Sequence, residues 1–230
     1  MATFTDPEFG EIALRRTSLS RNIRLKLDTR GVISITLPKR APLFLAKQLL
    51  NDSRTSVRSS LQKIKRDKPT YQEGDIIGKV HRLRITQDDT VGYSHRLDQN
   101  DLVVFTPVAA PTDMVQKTIH EGIAKALRVQ AKSYLPRRLK TLADKHGFRY
   151  NKLRFSSAGT RWGSCSSEAT ISLNIWLMQL PFELIDYVIL HELTHTRHMN
   201  HSEDFWNELG LFLPNHRELR RELKQHHPYI

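Results

Sequence analysis

The stretch His191-Glu192-Leu193-Thr194-His195, followed by His201, decides how the carboxyl-terminal half of this chain is interpreted. Residues four apart lie on the same face of an α-helix, so His191 and His195 can bind one ion together. Glu192 lies one step round the helix from His191, where its carboxylate can reach a metal-bound water without being a ligand. The pattern therefore predicts a helix that carries a metal site and a general base.

A third ligand has to come from outside this helical face. Three side chains along one straight helix cannot surround a tetrahedral ion with Zn–N bonds of about 2.0–2.1 Å, which disfavours His198. His201 is the better candidate, because Asn200 can adopt the left-handed conformation that often ends a helix. Three nitrogens leave a fourth position open for water, as in catalytic zinc sites. We expect one Zn²⁺ per chain, and nickel, cobalt and copper also suit histidine ligands.

The surrounding residues indicate that this helix is buried. Pro181 suits a first helical turn, and a broad apolar surface follows it, made of Phe182, Leu184, Ile185, Val188, Ile189 and Leu193. Leaving histidines and a glutamate unpaired in a core costs on the order of 1–3 kcal/mol each, and a metal satisfies them. The alternative is a chance occurrence of the motif on a solvated helix.

Residues around the motif resemble the YgjP-like (DUF45) metallopeptidase family, which is related to the WLM and SprT-like zincins. The resemblance rests on Arg161–Ser167, Ile171–Asn174, Ile185–His195, Asn200–Ser202 and the pair Phe205-Trp206. It implies an α+β fold with a zincin-like metallopeptidase domain. It also implies that His191, His195 and His201 bind zinc and that Glu192 is the base.

Hydrophobic patterning predicts two regions, which could also form one continuous domain. Residues 1–110 are expected to form an antiparallel β-rich region with one long helix, and residues 111–230 the catalytic domain. The first region comprises a hairpin over 23–38 turning at Asp28–Gly31, a helix over 42–66, and strands containing Leu83 and Ile85, Val91 and Tyr93, and Leu102–Phe105. The second begins with a helix from Thr112, kinked or interrupted near Pro136 and ended by Gly147.

Short strands are predicted immediately before the metal-binding helix, at Arg154–Phe155, Thr160–Trp162 and Thr170–Asn174. By the same resemblance, Ile171–Asn174 is the candidate edge strand on which an extended peptide would lie. An ordinary core strand is the alternative.

Composition limits the partners and the compartment. The formal net charge is +12 and the sequence pI is about 10.0. This charge suits either a polyanion such as nucleic acid or a generally solvated basic surface, because the excess is spread over both halves. A single cysteine excludes an intramolecular disulfide, and neither a long apolar run nor a signal pattern is evident. We expect a cytoplasmic protein without a membrane partner.

Several other side chains have more than one interpretation. Arg161 could hold a carboxylate or phosphate or stabilise an oxyanion, or it could pair with Glu168 or Asp186. Cys165 is either a resting-state metal ligand or a small buried apolar side chain. Phe205 and Trp206 are expected to hold His201 in place. Three histidines near the carboxyl-terminal end of the sequence are expected at the surface: His216, His226 and His227.

Three functions remain open from the sequence. The first, a zinc-dependent metallopeptidase acting on polypeptides, is the function that we predict. The second is a metal-dependent nucleotide pyrophosphohydrolase, because the same chemistry can attack a phosphoanhydride. The third is a nucleic-acid-associated protein with a structural zinc, which predicts DNA binding that depends steeply on salt.

Overall fold

The computed structural model describes residues 2–28, 31–67 and 69–228 and has a mixed α+β fold. The chain divides between Pro69 and Thr70 into two compact units. The boundary predicted at residue 110 differs, because it falls inside the second unit. There, the strands before residue 110 pack against the long helix that follows.

The first unit contains a four-stranded sheet and two helices. Its strands are β1 (Ala2–Asp6), β2 (Gly10–Thr17), β3 (Arg24–Leu27) and β4 (Ile33–Pro38), in the order β1-β2-β4-β3. The predicted hairpin corresponds to β3 and β4, while two residues of its predicted turn, Thr29 and Arg30, lie outside the described residues. The unit has its own apolar core, formed by Ile12, Leu14, Ile33, Ile35, Leu37, Ala46, Leu50 and Val57.

The prediction of a single helix over residues 42–66 is wrong about the number of helices. The structure has two helices, α1 (Leu43–Asp52) and α2 (Arg54–Asp67), separated at Ser53. The run Asn51-Asp52-Ser53 explains the break, because Asn, Asp and Ser are poor helix formers whose side chains compete for backbone hydrogen bonds.

The second unit begins with a sheet that has the same strand order as the first. Strands β5 (Ile76–Ile77), β6 (His81–Gln87), β7 (Ser94–Asp98) and β8 (Asp101–Thr106) lie in the order β5-β6-β8-β7. The expectation of an antiparallel β region is therefore wrong for one strand pair in each sheet. In each sheet two antiparallel pairs meet through a central parallel pair, β2 with β4 and β6 with β8. Val91 and Tyr93 precede β7, because the chain is still turning there.

A 35-residue helix, α3 (Thr112–His146), connects this sheet to the rest of the unit. It runs through Pro136 without interruption and ends at Gly147, whose φ of 69° is the left-handed conformation typical of a helix end. It packs against β7 and β8 and also against a 3₁₀ turn, Ile175–Gln179, and the later helix α4.

The third sheet and three helices complete the second unit. Strands β9 (Lys152–Ser156), β10 (Gly163–Cys165) and β11 (Thr170–Asn174) lie in the order β10-β11-β9. The helices are α4 (Phe182–Thr194), α5 (Glu203–Phe212) and α6 (His216–Leu223). Within the described part of the chain, no helix is both long and apolar enough to cross a membrane.

The candidate edge strand was assigned to the wrong segment. Ile171–Asn174 belongs to β11, which pairs with β10 on one side and with β9 on the other. Its side chains Ile171 and Leu173 are fully buried, which makes it the core strand of the sheet. The strand beside α4 at the edge is β10, which begins just after the predicted strand Thr160–Trp162.

Candidate active site

Helix α4 carries the first two histidines at its carboxyl-terminal end. Its apolar side chains Leu184, Ile185, Ile189 and Leu193 are fully buried, so the helix is fixed in the core. The helix ends at Thr194, with His195 as its last, right-handed cap residue. The expected left-handed Asn200 is not found: among the described non-glycine residues, only Gln99 and Ala169 have positive φ. Helix α4 ends before Asn200 is reached, so no left-handed residue is needed at Asn200 to end it.

The structure brings three histidine rings together. One ring nitrogen each from His191, His195 and His201 lies within 4.8 Å of the others. The Nε2 atoms of His201 and His191 are 3.0 Å apart, close to the roughly 3.3 Å expected for two nitrogens on one tetrahedral zinc ion. His198 lies outside this cluster, with its Nε2 atom 2.8 Å from Glu208 Oε2.

The protonation of these rings suits metal binding. Nδ1 of His195 lies 2.9 Å from the carbonyl oxygen of His198, which can only accept a hydrogen bond. The Nδ1 atom therefore carries the proton and Nε2 keeps its lone pair. Burial, then the neighbouring rings and Arg220, lower the pKa of His191 to about 3. The pKa of His201 is lowered for similar reasons, so both rings are neutral, as a metal ligand must be.

Aromatic side chains from α5 surround the histidine cluster. Phe205 is fully buried, with its ring centroid 4.6–4.9 Å from those of all three histidines. Trp206 stacks on His201 at 5.5 Å, in line with the expectation that this pair holds His201. His216 was expected at the surface, and this expectation is wrong. Its side chain is 9% exposed, because it stacks on the Trp206 indole instead of facing solvent.

Glu192 is a buried carboxyl beside the cluster. It is 5% exposed, and its Oε2 atom has no hydrogen-bond partner among the described residues. Burial raises its pKa to about 8, and the positive charge of Arg161 opposes this shift. Gly163 of β10 leaves the space that Glu192 occupies, since a Cβ atom at this glycine would lie 2.6 Å from Glu192 Oε1.

Arg161 and Cys165 flank the site without joining the histidine cluster. Arg161 is exposed and forms no ion pair with any described residue. Its proposed structural partner Asp186 instead accepts a hydrogen bond from Arg138 Nε at 2.7 Å. Burial raises the pKa of the Cys165 thiol to about 11, and Cys165 does not belong to the group of described residues that could bind one metal ion together.

Comparison with known proteins places this chain in a family. The family model described as "YgjP-like, metallopeptidase domain" matches residues 21–226, which is most of the chain. The chain belongs to the YgjP-like family. The sequence-based resemblance is thereby confirmed, and with it the presence of a metallopeptidase-family domain.

Two solved structures are similar to parts of this YgjP-like protein. The metallopeptidase zymogen abylysin of Pyrococcus abyssi is 24% identical, with a TM-score of 0.36, over 39% of this chain and 92% of its own. The metallopeptidase zymogen jannalysin of Methanocaldococcus jannaschii is 23% identical, with a TM-score of 0.35, over 39% of this chain and 93% of its own. No curated protein matches the chain.

A cleft of about 380 Å³ opens beside the histidines of the YgjP-like protein. Its walls come from three places: the segment ending in β10, the helix α4, and α6 with the residues after it. The lining residues are Thr160, Trp162, Gly163, Tyr187, Val188, His191, Glu192, Arg220, Leu223, Lys224, His226, His227 and Pro228. His226 and His227, expected simply at the surface, therefore line the cleft that contains Glu192.

Several residues that line the cleft were not predicted from the sequence. Tyr187 lies one helical turn before His191 on the same face, a spacing that could have identified it. Its ring lies 5.9 Å from His191, and burial raises the pKa of its hydroxyl to about 12. Arg220 and Lys224 come from a different helix, so no spacing in the sequence relates them to the histidines.

Proposed function

We propose that this protein is a zinc-dependent metallopeptidase in which His191, His195 and His201 hold the ion and Glu192 is the general base. The observation that carries the proposal is a buried carboxyl with an unpartnered oxygen beside three clustered imidazoles. The donor set fits zinc, because three neutral nitrogens leave one position for water.

A bound zinc ion would lower the pKa of a water molecule and polarise a peptide carbonyl. The chain's own groups then move the proton. Glu192 accepts it from the attacking water at Oε2 and delivers it to the leaving amine. The raised pKa of Glu192 suits both steps, since a group that takes and returns a proton works best near the ambient pH.

Arg161 is proposed to assist as a fixed positive charge. Its guanidinium is unpaired among the described residues, and its charge reaches Glu192. A guanidinium beside the reacting carbonyl would stabilise negative charge that develops on the substrate.

The edge strand β10 is the proposed binding site for the peptide backbone. One edge of β10 pairs with β11, and no described strand pairs with the other. An extended peptide can add to such an edge through main-chain hydrogen bonds, which gives affinity with little sequence choice. Gly163 in β10 lines the cleft next to Glu192, so a peptide added there lies beside the proposed base.

The test combines metal content with cleavage of a peptide library. We expect one zinc per chain in the wild type and in Glu192→Gln, with turnover lost in Glu192→Gln because the base is gone. His201→Ala should lose zinc, and His198→Ala is the matched control that should keep it. Full zinc occupancy in His201→Ala would contradict the ligand set. Hydrolysis of nucleoside triphosphates, with peptides left intact, would contradict the peptidase.

A further inference from the structure

One wall of the cleft is positively charged. Arg220 in α6 and Lys224 at its carboxyl-terminal cap are four residues apart, and both line the cleft. Neither forms an ion pair with a described residue. Glu192 is the only acidic side chain among the described residues of the lining. The described lining therefore carries two permanent cations from one wall against a single carboxyl.

Arg220 is held in a defined position. Its guanidinium lies 4.7 Å from the centre of the Trp206 ring, a cation–π contact on the indole that also stacks on His201. Arg220 and the proposed ligand His201 therefore contact the same indole ring.

The cleft also has an apolar surface. Trp162, Tyr187 and Leu223 line it together with the two cations. The volume of about 380 Å³ lies at the lower end of the range of roughly 300–1,000 Å³ found for ligand pockets. Such a space fits a side chain with an apolar stem and an anionic end, and it disfavours a cationic one.

We propose that this cleft selects peptides with a glutamate or aspartate next to the scissile bond, and that Arg220 and Lys224 determine this specificity. The inference rests on the proposed peptidase function. A charged hydrogen bond in a site this open is expected to favour Glu over Gln by about five- to tenfold. The preference should shrink as salt is raised from about 0.05 to about 0.5 M, because exposed charges are screened.

The experiment compares end-blocked hexapeptides that differ only by Glu or Gln, with the exchange made at each position in turn. Cleavage by the zinc-loaded wild type gives kcat/KM for each peptide. Calorimetric titration of zinc-loaded Glu192→Gln gives the binding constant without any turnover. The second measurement keeps the specificity question separate from the question of activity.

Two variants remove the proposed specificity residues and a third is the control. Arg220→Gln and Lys224→Gln should each reduce the Glu preference, both in kcat/KM and in binding. Arg221→Gln removes an equally exposed cation of α6 that does not line the cleft, and it should leave the preference intact. Lys224→Glu should reverse the preference, so that the Gln peptide is favoured over the Glu peptide. Zinc content is measured for every variant, because Arg220 also acts on the histidines.

A Glu preference that falls in the two cleft variants and persists in Arg221→Gln would support the inference. Equal binding of Glu and Gln peptides at every position would overturn it, and peptide cleavage would then leave the peptidase function standing. A preference unchanged in Arg220→Gln and Lys224→Gln would also overturn it. Binding of nucleotides or single-stranded DNA by the cleft, with neither peptide bound, would overturn both proposals.

Discussion

At the residue scale, the packing of Gly163 against Glu192 controls where the proposed base can lie. The position of a Cβ atom on residue 163 would be 2.6 Å from Glu192 Oε1 and 2.7 Å from its Cγ. Both distances are shorter than real Cβ contacts. Because Glu192 is 5% exposed, its carboxyl has little room to move away.

We therefore expect Gly163→Ala to lower kcat by about 100-fold, as displacement of a catalytic group by about 1 Å can do. Zinc content should be unchanged, since no proposed ligand is touched. The measurement is steady-state peptide cleavage together with metal analysis. Gly210→Ala is the control, because the nearest atom to its Cβ position is 3.4 Å away. Equal activity of the two variants would show that Glu192 is not held by this contact.

The histidine cluster could be anticipated from the sequence, whereas this contact could not. The i, i+4 spacing of His191 and His195 fixes their relative position within one helix. His201 is close enough to them in the sequence for the chain to bring its side chain back to the same site. Gly163 and Glu192 meet only because β10 packs against α4. A contact between elements leaves no periodic signal in the sequence, and the same holds for Arg220.

At the element scale, the segment between α4 and α5 positions the third histidine. Glu208 of α5 accepts a hydrogen bond from Arg197 through Oε1 and lies 2.8 Å from His198 Nε2 through Oε2. Arg197 also donates to the carbonyl oxygen of Gly147 at 2.6 Å. One carboxylate thus anchors the residues that lead from His195 to His201.

Replacing Glu208 with Gln should weaken this anchor while leaving all three histidines in place. We expect zinc to dissociate about tenfold faster, the lower end of the effect of outer-shell partners on metal affinity. Transfer of zinc to a chromogenic chelator gives the rate. Glu203→Gln, at an exposed position in the same helix, should behave like the wild type. An unchanged rate of zinc dissociation in Glu208→Gln would show that contacts other than Glu208 hold the segment between α4 and α5 in place.

Elements with strong local signals were the ones that the sequence predicted well. The hairpin of β3 and β4 alternates cleanly, and α3 has a long apolar stripe with a terminating glycine. The strand pair β1 and β2 was missed, and β11 was placed at an edge. Whether a strand lies at an edge depends on which other strands pair with it, and that is decided by tertiary packing.

At the scale of the whole molecule, the proposed metal site lies entirely within the second unit. The first unit has its own core and its own partly buried ion pair, in which Asp6 accepts a hydrogen bond from Arg54 Nη2 at 2.9 Å. That bond is the largest of the effects that lower the pKa of Asp6. Its stabilising effect is present above the unfolded pKa of Asp6 and is lost as the pH falls through the folded value.

Calorimetry should show a separate melting transition for each of the two units. Zinc at about 1,000 times its dissociation constant adds about 4 kcal/mol to the unit that binds it, which should raise one melting transition by about 10 °C. Chelation should reverse that shift and leave the other transition alone. Asp6→Asn should lower the other transition by about 5 °C at neutral pH and have little effect in strong acid. Movement of both transitions by zinc would contradict independent units.

The repeated strand order also bears on the order in which parts of the protein can fold during synthesis. Both four-stranded sheets close within short stretches of chain and are complete by Thr106, whereas all three clustered histidines lie between residues 191 and 201. Domains generally fold from the amino terminus as the chain emerges from the ribosome. The nitrogens that could capture an ion are therefore made after both four-stranded sheets, which can already be folded, and before α5 and α6, which complete the surroundings of the site.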